Sequence, residues 1–232
     1  MIISMVKVGK LRIMELLEPN FFGGVLNHNI VIIEKGPNGG LMMIDTGLPG
    51  YLEEISKFLR SWNFHIEDIS DIVITHWHPD HAGNASIIKK ISKAKVYAHF
   101  KELPKIKYPE NISLDYNKVK EELNVSKEDF ENTMKRIKEI KYEPVDIDFT
   151  LKGGEMLGEF KVIHVPGHTE GHIALYDGYN LIAGDAIRGI NGASPPLKFF
   201  SWNYELALES FNKLINRRSK IIVPFHGELI FY

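Results

Sequence analysis

Residues 75–81 read Thr75-His76-Trp77-His78-Pro79-Asp80-His81, directly after the apolar run Ile72-Val73-Ile74. Three imidazoles and a carboxylate within six positions form a density that a solvated surface does not require. Imidazole nitrogen and carboxylate oxygen are the donors that a borderline divalent cation such as zinc takes up. The chain has no cysteine. Disulfides, thiolate ligands and cysteine nucleophiles are therefore excluded together, and any metal must be held by His, Asp or Glu.

Alternate residues of an extended chain point the same way, so His76 and His78 can approach one ion together. Pro79 bends the chain. Asp80 and His81 then fall where it turns into a helix, within reach of a second ion. A single tetrahedral site has little use for all four groups, whereas binuclear hydrolytic centres hold their metals about 3.5–4 Å apart around a shared hydroxide. Three further places have the same local character: Pro166-Gly167-His168-Thr169, Gly184-Asp185 and Pro224-Phe225-His226-Gly227. Each puts a His or Asp at the end of an apolar run beside glycine, where the backbone can turn sharply and approach a ligand.

The elements that must deliver these residues show as apolar runs separated by turn signals. Ile30–Ile33 and Leu41–Ile44 read as strands joined by the Gly-Pro-Asn-Gly-Gly turn at 36–40. Pro49 opens a helical stretch in which Leu52, Ile55, Phe58 and Leu59 recur at helical spacing. Ile72–Ile74 is a strand buried on both faces, 82–91 a helix, and 95–98 a short strand. The second half continues with strands at 146–151, 158–165, 173–176 and 180–183, a helix over 204–215 and a strand at 221–223. Each half runs strands, a helix, and a strand that ends in metal-type residues. Two sheets face to face with helices outside satisfy this pattern, with the donors converging at one edge.

Residues 100–145 differ in composition, being rich in lysine and glutamate. Leu123, Phe130, Met134 and Ile137 give them an amphipathic stripe. They are expected to form a solvated helical insertion in a single domain covering 1–232, with a lid over the site as the functional reading. The chain has 232 residues, 44% of them hydrophobic and 25% charged, enough for a sizeable core. A net charge of −2 gives no reason to expect a nucleic-acid or anionic-membrane partner. No window approaches the roughly 18 apolar residues of a membrane span. Met1–Val8 is short and interrupted by lysine, so no signal peptide is expected and the cytoplasm is the default location. The expected partner is a small-molecule substrate and, beyond it, at most a second copy of the chain.

Taken together, Asp45-Thr46-Gly47, the 75–81 run, the 166–169 run, Gly184-Asp185 and the 224–227 run resemble the metallo-β-lactamase-fold superfamily of hydrolases, over about Asn27 to Gly227. The resemblance implies an α/β, four-layer αβ/βα sandwich of two mixed β-sheets flanked by helices. It implies that His76, His78 and His168 hold one metal and that Asp80, His81 and His226 hold another, with Asp185 bridging. Asp45 would orient a ligating imidazole from behind, and Thr169 and Asp71 would support the same shell. The expected cofactors are two divalent ions, zinc first, with iron or manganese as alternatives.

The expected reaction is attack of a metal-bridged hydroxide on a small ester, lactone or thioester, with Asp80 orienting the nucleophile and moving its proton. Rival readings are a mononuclear non-haem iron enzyme acting on persulfides and a metal-binding protein without catalysis. Among relatives of this type, His78 argues against flavodiiron chemistry, where Glu stands there. Asp185 argues against many β-lactamases, which carry Cys. Arg188 stands where many lactonases have Tyr. The chain ends six residues after His226, so no thioester-binding C-terminal helical domain is expected.

His28, His65 and His99 lie outside these motifs and are expected to be ordinary packing or surface residues. His164 is expected to be hydrogen-bonded, and His172 to support the site rather than ligate. Phe21, Phe22, Trp77, Phe199, Phe200 and Trp202 are candidates for the walls of an acyl pocket, against simple packing. Arg188 is a candidate for a substrate carboxylate or phosphate.

Overall fold

The computed structural model describes residues 4–232. Of the N-terminal stretch read as lacking a leader, Met1–Ile3 lie outside them. Among the described residues no helix is long and apolar enough to cross a membrane.

The first sheet has seven strands in chain order: β1 (Ser4–Val8), β2 (Leu11–Phe21), β3 (Gly24–Ile33), β4 (Leu41–Ile44), β5 (Ile69–Ile74), β6 (Lys95–His99) and β7 (Phe149–Leu151). The first four pair antiparallel, and β4 to β7 pair parallel. Helices α1 (Leu52–Ser61), α2 (Pro79–Ala82) and α3 (Ala85–Ser92) make the crossovers, and α4 (Leu103–Lys107), α5 (Tyr116–Leu123) and α6 (Lys127–Glu139) lie between β6 and β7. The second sheet orders β15 (Ile230–Phe231), β14 (Ile221–Pro224), β11 (Asn180–Gly184), β10 (Ile173–Tyr176), β9 (Phe160–His164) and β8 (Met156–Leu157). A two-stranded ribbon, β12 (Arg188–Gly189) and β13 (Ala193–Ser194), and helix α7 (Tyr204–Ile215) complete the chain.

Side-chain alternation divides the interior into three apolar layers. From β4 and β5, Met43, Ile72 and Ile74 pack outward with Ile55, Phe58, Leu59 and Ile88 of α1 and α3. Their neighbours Met42, Ile44 and Val73 pack inward with Val162, Leu175, Ile182 and Val223 of the second sheet. Ile163, Leu181 and Ile222 face Leu214 of α7 on the far side. The result is helix, sheet, sheet, helix: the expected four layers, with β4 and β5 buried on both faces because both are covered.

The long β2–β3 hairpin, paired from Leu11–Ile33 to Phe21–Gly24, was not read in full. A strand was expected only from Ile30, because Glu18-Pro19-Asn20 gives no apolar alternation; pairing with β3 makes that stretch extended. The helix expected over 82–91 breaks at Gly83-Asn84. A side chain at Gly83 would stand 2.3 Å from the Pro79 carbonyl oxygen and 2.6 Å from that of Gly47. Asn84 donates its amide to the Thr46 and Leu48 carbonyls, both at 2.7 Å. The helix yields one turn so that this asparagine can fix the 46–48 loop beneath the site.

Candidate metal centre

Every predicted donor sits just beyond the end of a strand, Asp80 and His81 on the short helix α2. β5 ends at Ile74 and releases 75–81; β9 ends at His164 and releases His168; β11 delivers Asp185; β14 delivers His226. Parallel pairing of β11 with β14 sends both C-terminal ends to the same edge, the edge to which β5 points, and the four segments meet there.

Three imidazole nitrogens form one half of the cluster. His76 Nε2 is 2.9 Å from His78 Nδ1, and His168 Nε2 lies 3.2 and 3.1 Å from them. Ligands around a tetrahedral zinc with bonds of about 2.0–2.1 Å stand about 3.3 Å apart, so the three atoms are spaced for a shared ion. Asp185 Oδ2 is 3.4 Å from His168 Nε2 and 3.6 Å from His226 Nε2, while its Oδ1 is 3.4 Å from His81 Nε2. One carboxylate thus faces both halves. Asp80 Oδ2 is 3.6 Å from His81 Nε2 and 3.2 Å from His226 Nε2. His81 Nε2 and Asp185 Oδ1 are buried with no hydrogen-bond partner among the described residues. Buried donors and acceptors rarely go unsatisfied, and these face the other donors of the cluster, so the residues present are arranged to bind metal.

The backs of the rings are fixed. His81 Nδ1 lies 2.8 Å from Asp45 Oδ2, and Asp45 also accepts from the Thr75 amide (2.8 Å) and hydroxyl (2.8 Å to Oδ2). Asp45 holds a left-handed φ of 60°, a strained conformation for this residue, which turns its carboxylate under the 75–81 loop. His226 Nδ1 donates to the Asn27 carbonyl at 2.7 Å. These bonds leave each Nε2 to face the cluster.

Burial pushes the protonation of His78 down to about 4 and of His168 to about 3, and holds His76 well below the ordinary histidine range. At neutral pH these rings present lone pairs. Burial also opposes protonation of His81, but Asp45, Asp80 and Asp185 outweigh it and raise the ring; His226 is raised against burial by Asp185 and Asp80. Burial alone would raise Asp80 and Asp185, yet the surrounding histidines hold both below the usual carboxylate range.

His172 accepts the Asp185 amide at Nε2 (3.0 Å). A side chain on Gly184, whose φ is +53°, would meet that ring at 2.8 Å. His172 therefore supports Asp185 from behind, as expected. Thr169 donates to Glu102 Oε1 at 2.9 Å. Glu102 was not foreseen: it is buried, accepts the Gly171 amide (2.6 Å) and the Trp77 amide (2.9 Å), and so ties the loop of His76 and His78 to the loop of His168. Burial raises its pKa. In sequence it is one glutamate in a segment full of them. Asp71 proves remote from the cluster. It accepts from Asn38, Ser70 and Tyr97 and anchors the 36–40 turn, because β5 carries it at the opposite end from His76.

His65 is exposed at a helix start, His99 and His164 stack on each other at 4.1 Å, and His164 Nε2 meets the Glu170 carbonyl. His28 departs from expectation. It is fully buried, its Nε2 lies 3.8 Å from Asp80 Oδ2, and its ring is 5.2 Å from that of His226. A signal existed: His28 shares a strand face with Ile30 and Ile32, where an imidazole is out of place.

The cluster opens into a cavity of about 600 Å³ between the β2–β3 hairpin, α6 and the 188–200 segment. Phe21 and Phe200 line it, their rings 6.4 Å apart and stacked. Phe22 packs instead on Phe130 and Phe199, Trp77 belongs to the outer core, and Trp202 is exposed. Ile137 and Ile140 join the lining, so residues of the 100–145 segment form a wall of the cavity. The Phe22 amide donating to Thr133 Oγ1 (2.8 Å), and Arg136 pairing with Glu18, fasten α6 to the hairpin. Arg188 also lines the cavity; its Nε donates to the Pro195 carbonyl at 2.9 Å.

A family model described as the metallo-beta-lactamase superfamily matches residues 23–226. An uncharacterized protein of Bacillus subtilis, YobT, is 26% identical over 223 residues, covering 90% of this chain and 87% of that protein. A hydroxyacylglutathione hydrolase of Hyphomonas neptunium is 28% identical over 195 residues, covering 81% of this chain and 57% of that enzyme. The crystal structure of the metallo-beta-lactamase family protein TTHA1429 from Thermus thermophilus superposes with a TM-score of 0.71 at 20% identity, covering 97% of this chain and 75% of that one.

Proposed function

The chain belongs to the metallo-beta-lactamase superfamily, and from that premise we propose that it is a binuclear metal-dependent hydrolase of small esters or thioesters, with lactones as a related substrate. The observation that carries this reading is the convergence of His76, His78, His168, Asp185, Asp80, His81 and His226 in one cluster, five of which, all but His76 and His81, line the cavity. His76, His78 and His168 would hold one ion, His81, His226 and Asp80 the other, and Asp185 both. Zinc suits the His and carboxylate donors, with iron or manganese as alternatives.

Bound there, divalent ions would supply a hydroxide at neutral pH by lowering the pKa of a water. Asp80, kept ionised by His81 and His226, orients that nucleophile and carries its proton towards the leaving alcohol or thiol. The walls supplied by Phe21, Phe200, Ile137 and Ile140 exclude water from an apolar acyl group. Arg188 lies half-buried in the same wall. Its Nε donates to the Pro195 carbonyl, and the rest of the guanidinium, which feels Glu122 and Asp185, would receive an anionic end of the substrate. The hydrolase of Hyphomonas neptunium acts, by its name, on a hydroxyacyl thioester, a bond within the proposed class.

Metal analysis of protein purified without added metal, with a panel of aryl esters, thioesters, lactones and phosphodiesters, tests the reading. About two ions per chain and acyl hydrolysis lost to a chelator are expected. One iron per chain with oxygen uptake on a persulfide would overturn it.

A further inference from the structure

Beside Asp80 and His226 stands a third donor that the motifs do not include. His28 is on β3, on the face that also carries the buried Ile30 and Ile32. Both its ring nitrogens are buried and neither has a hydrogen-bond partner among the described residues. The ring is held in place from one side: it stacks on Phe225 at 5.4 Å with an interplanar angle of 23°. Asp80 Oδ2 lies 3.8 Å from His28 Nε2, and one ligand atom from each of His28, Asp80 and His226 falls within 4.8 Å of the others. Donors about 2.1 Å from a common ion stand between about 3 and 4 Å apart, depending on the angle they subtend. A buried imidazole with both nitrogens unsatisfied, stacked into position beside two such donors, is disposed as a ligand rather than as packing.

We propose that His28 is a further ligand of the second metal ion, completing a seat with Asp80 and His226 beside the one formed by His81, Asp185 and His226. The proposal rests on the two-ion reading of the site. It also changes the chemistry of that seat. His28, Asp80 and His226 are two imidazoles and a carboxylate, and His226 is shared with the neighbouring group of His81 and Asp185.

The wild-type chain answers the question first. Long-range proton–nitrogen NMR of the histidine rings, recorded during zinc titration of protein stripped of metal, counts metal-bound imidazoles. Six are expected at two equivalents: His28 together with His76, His78, His81, His168 and His226. Five, with the His28 ring unshifted, overturns the proposal and leaves the two-ion reading standing. Saturation at one equivalent overturns both. A second measurement uses His28→Leu, which suits the apolar face it occupies, titrated with cobalt(II) and followed by calorimetry and visible absorption. The first binding step should be unchanged and the second weakened at least tenfold, with a stronger visible band as the coordination number falls. An unchanged second step and spectrum in this variant would also overturn the assignment.

Discussion

Asp185 is the residue on which the two halves of the cluster depend. Its Oδ1 faces His81 and its Oδ2 faces His168 and His226. Asp185→Asn keeps the shape, but it removes the charge and replaces one acceptor oxygen with a donor. The second ion should bind 10- to 100-fold more weakly, by analogy with the loss of groups that tune a metal site, and turnover should fall at least as far. Metal content and hydrolysis rate unchanged from the parent would exclude the bridging assignment. In the proposed reading Arg188 meets the substrate rather than the ions. Arg188→Ala should raise KM about tenfold or more for esters bearing a carboxylate and leave neutral esters unaffected, since a charge-assisted hydrogen bond contributes about 1.5–3 kcal/mol. Equal effects on both ester classes would assign Arg188 to structure alone.

At the scale of elements, the site is made by strand ends held in register. Glu102 is the strut between two of them, accepting from the Trp77 and Gly171 amides and from the Thr169 hydroxyl. Glu102→Gln exchanges one acceptor oxygen for an NH2 group that faces donors. The cost of a buried mismatch is about 1–3 kcal/mol, or a fall of several degrees in Tm for a chain of this size. Binding of the first ion should weaken with it, because His78 and His168 lie on the loops that the strut joins. Calorimetric melting with and without zinc reads both effects, and a variant that melts and binds like the parent would remove Glu102 from this role. The helical segment between β6 and β7 likewise acts through attachment. Its amphipathic stripe is spread over α5 and α6, and Ile137 turns to the cavity because Thr133 and Arg136 fasten α6 to the β2–β3 hairpin.

The whole molecule carries the electrostatic strain of gathering so many ionisable groups in one buried place. Burial lowers His28, His76, His78, His168 and His172, the first to about 3 and His78 to about 4. Below the ordinary value of about 6.5, the unfolded chain binds protons that the native chain refuses. Their contribution is complete above pH 6.5 and is lost as pH falls towards 4. His81 and His226 are raised and act oppositely, losing their contribution as pH rises above 6.5. Asp80 and Asp185, depressed by their histidines, add stability that is lost only as pH falls below about 4. Below pH 6.5 the two raised rings are protonated in both states, so only the lowered rings change stability there. The urea midpoint of the metal-free chain should therefore fall steadily between pH 6.5 and 4.5. A flat profile would contradict this balance. Near neutral pH, zinc should raise Tm and a chelator lower it, because ions that bind only the native chain stabilise it.

Much of this was legible along the chain because metal donors are rare and their chemistry is local. The runs at 75–81, 166–169, 184–185 and 224–227 name the seven donors, and apolar runs bounded by glycine place them at strand ends. The family follows from the same residues. Residues that work only through distant neighbours were not legible. Glu102 looks like any surface glutamate until folding sets it beside Trp77 and Gly171, and Asp71 looks close to His76 until β5 carries it to the far end of the sheet. His28 is separated from Asp80 by 52 positions of chain and from His226 by 198. The sequence by itself determined which groups could hold metal and on which kind of element they sit. Only the tertiary structure decided which of them share a centre, because that depends on strand order, on the parallel pairing of β11 with β14, and on the low-dielectric interior that keeps His76, His78 and His168 neutral.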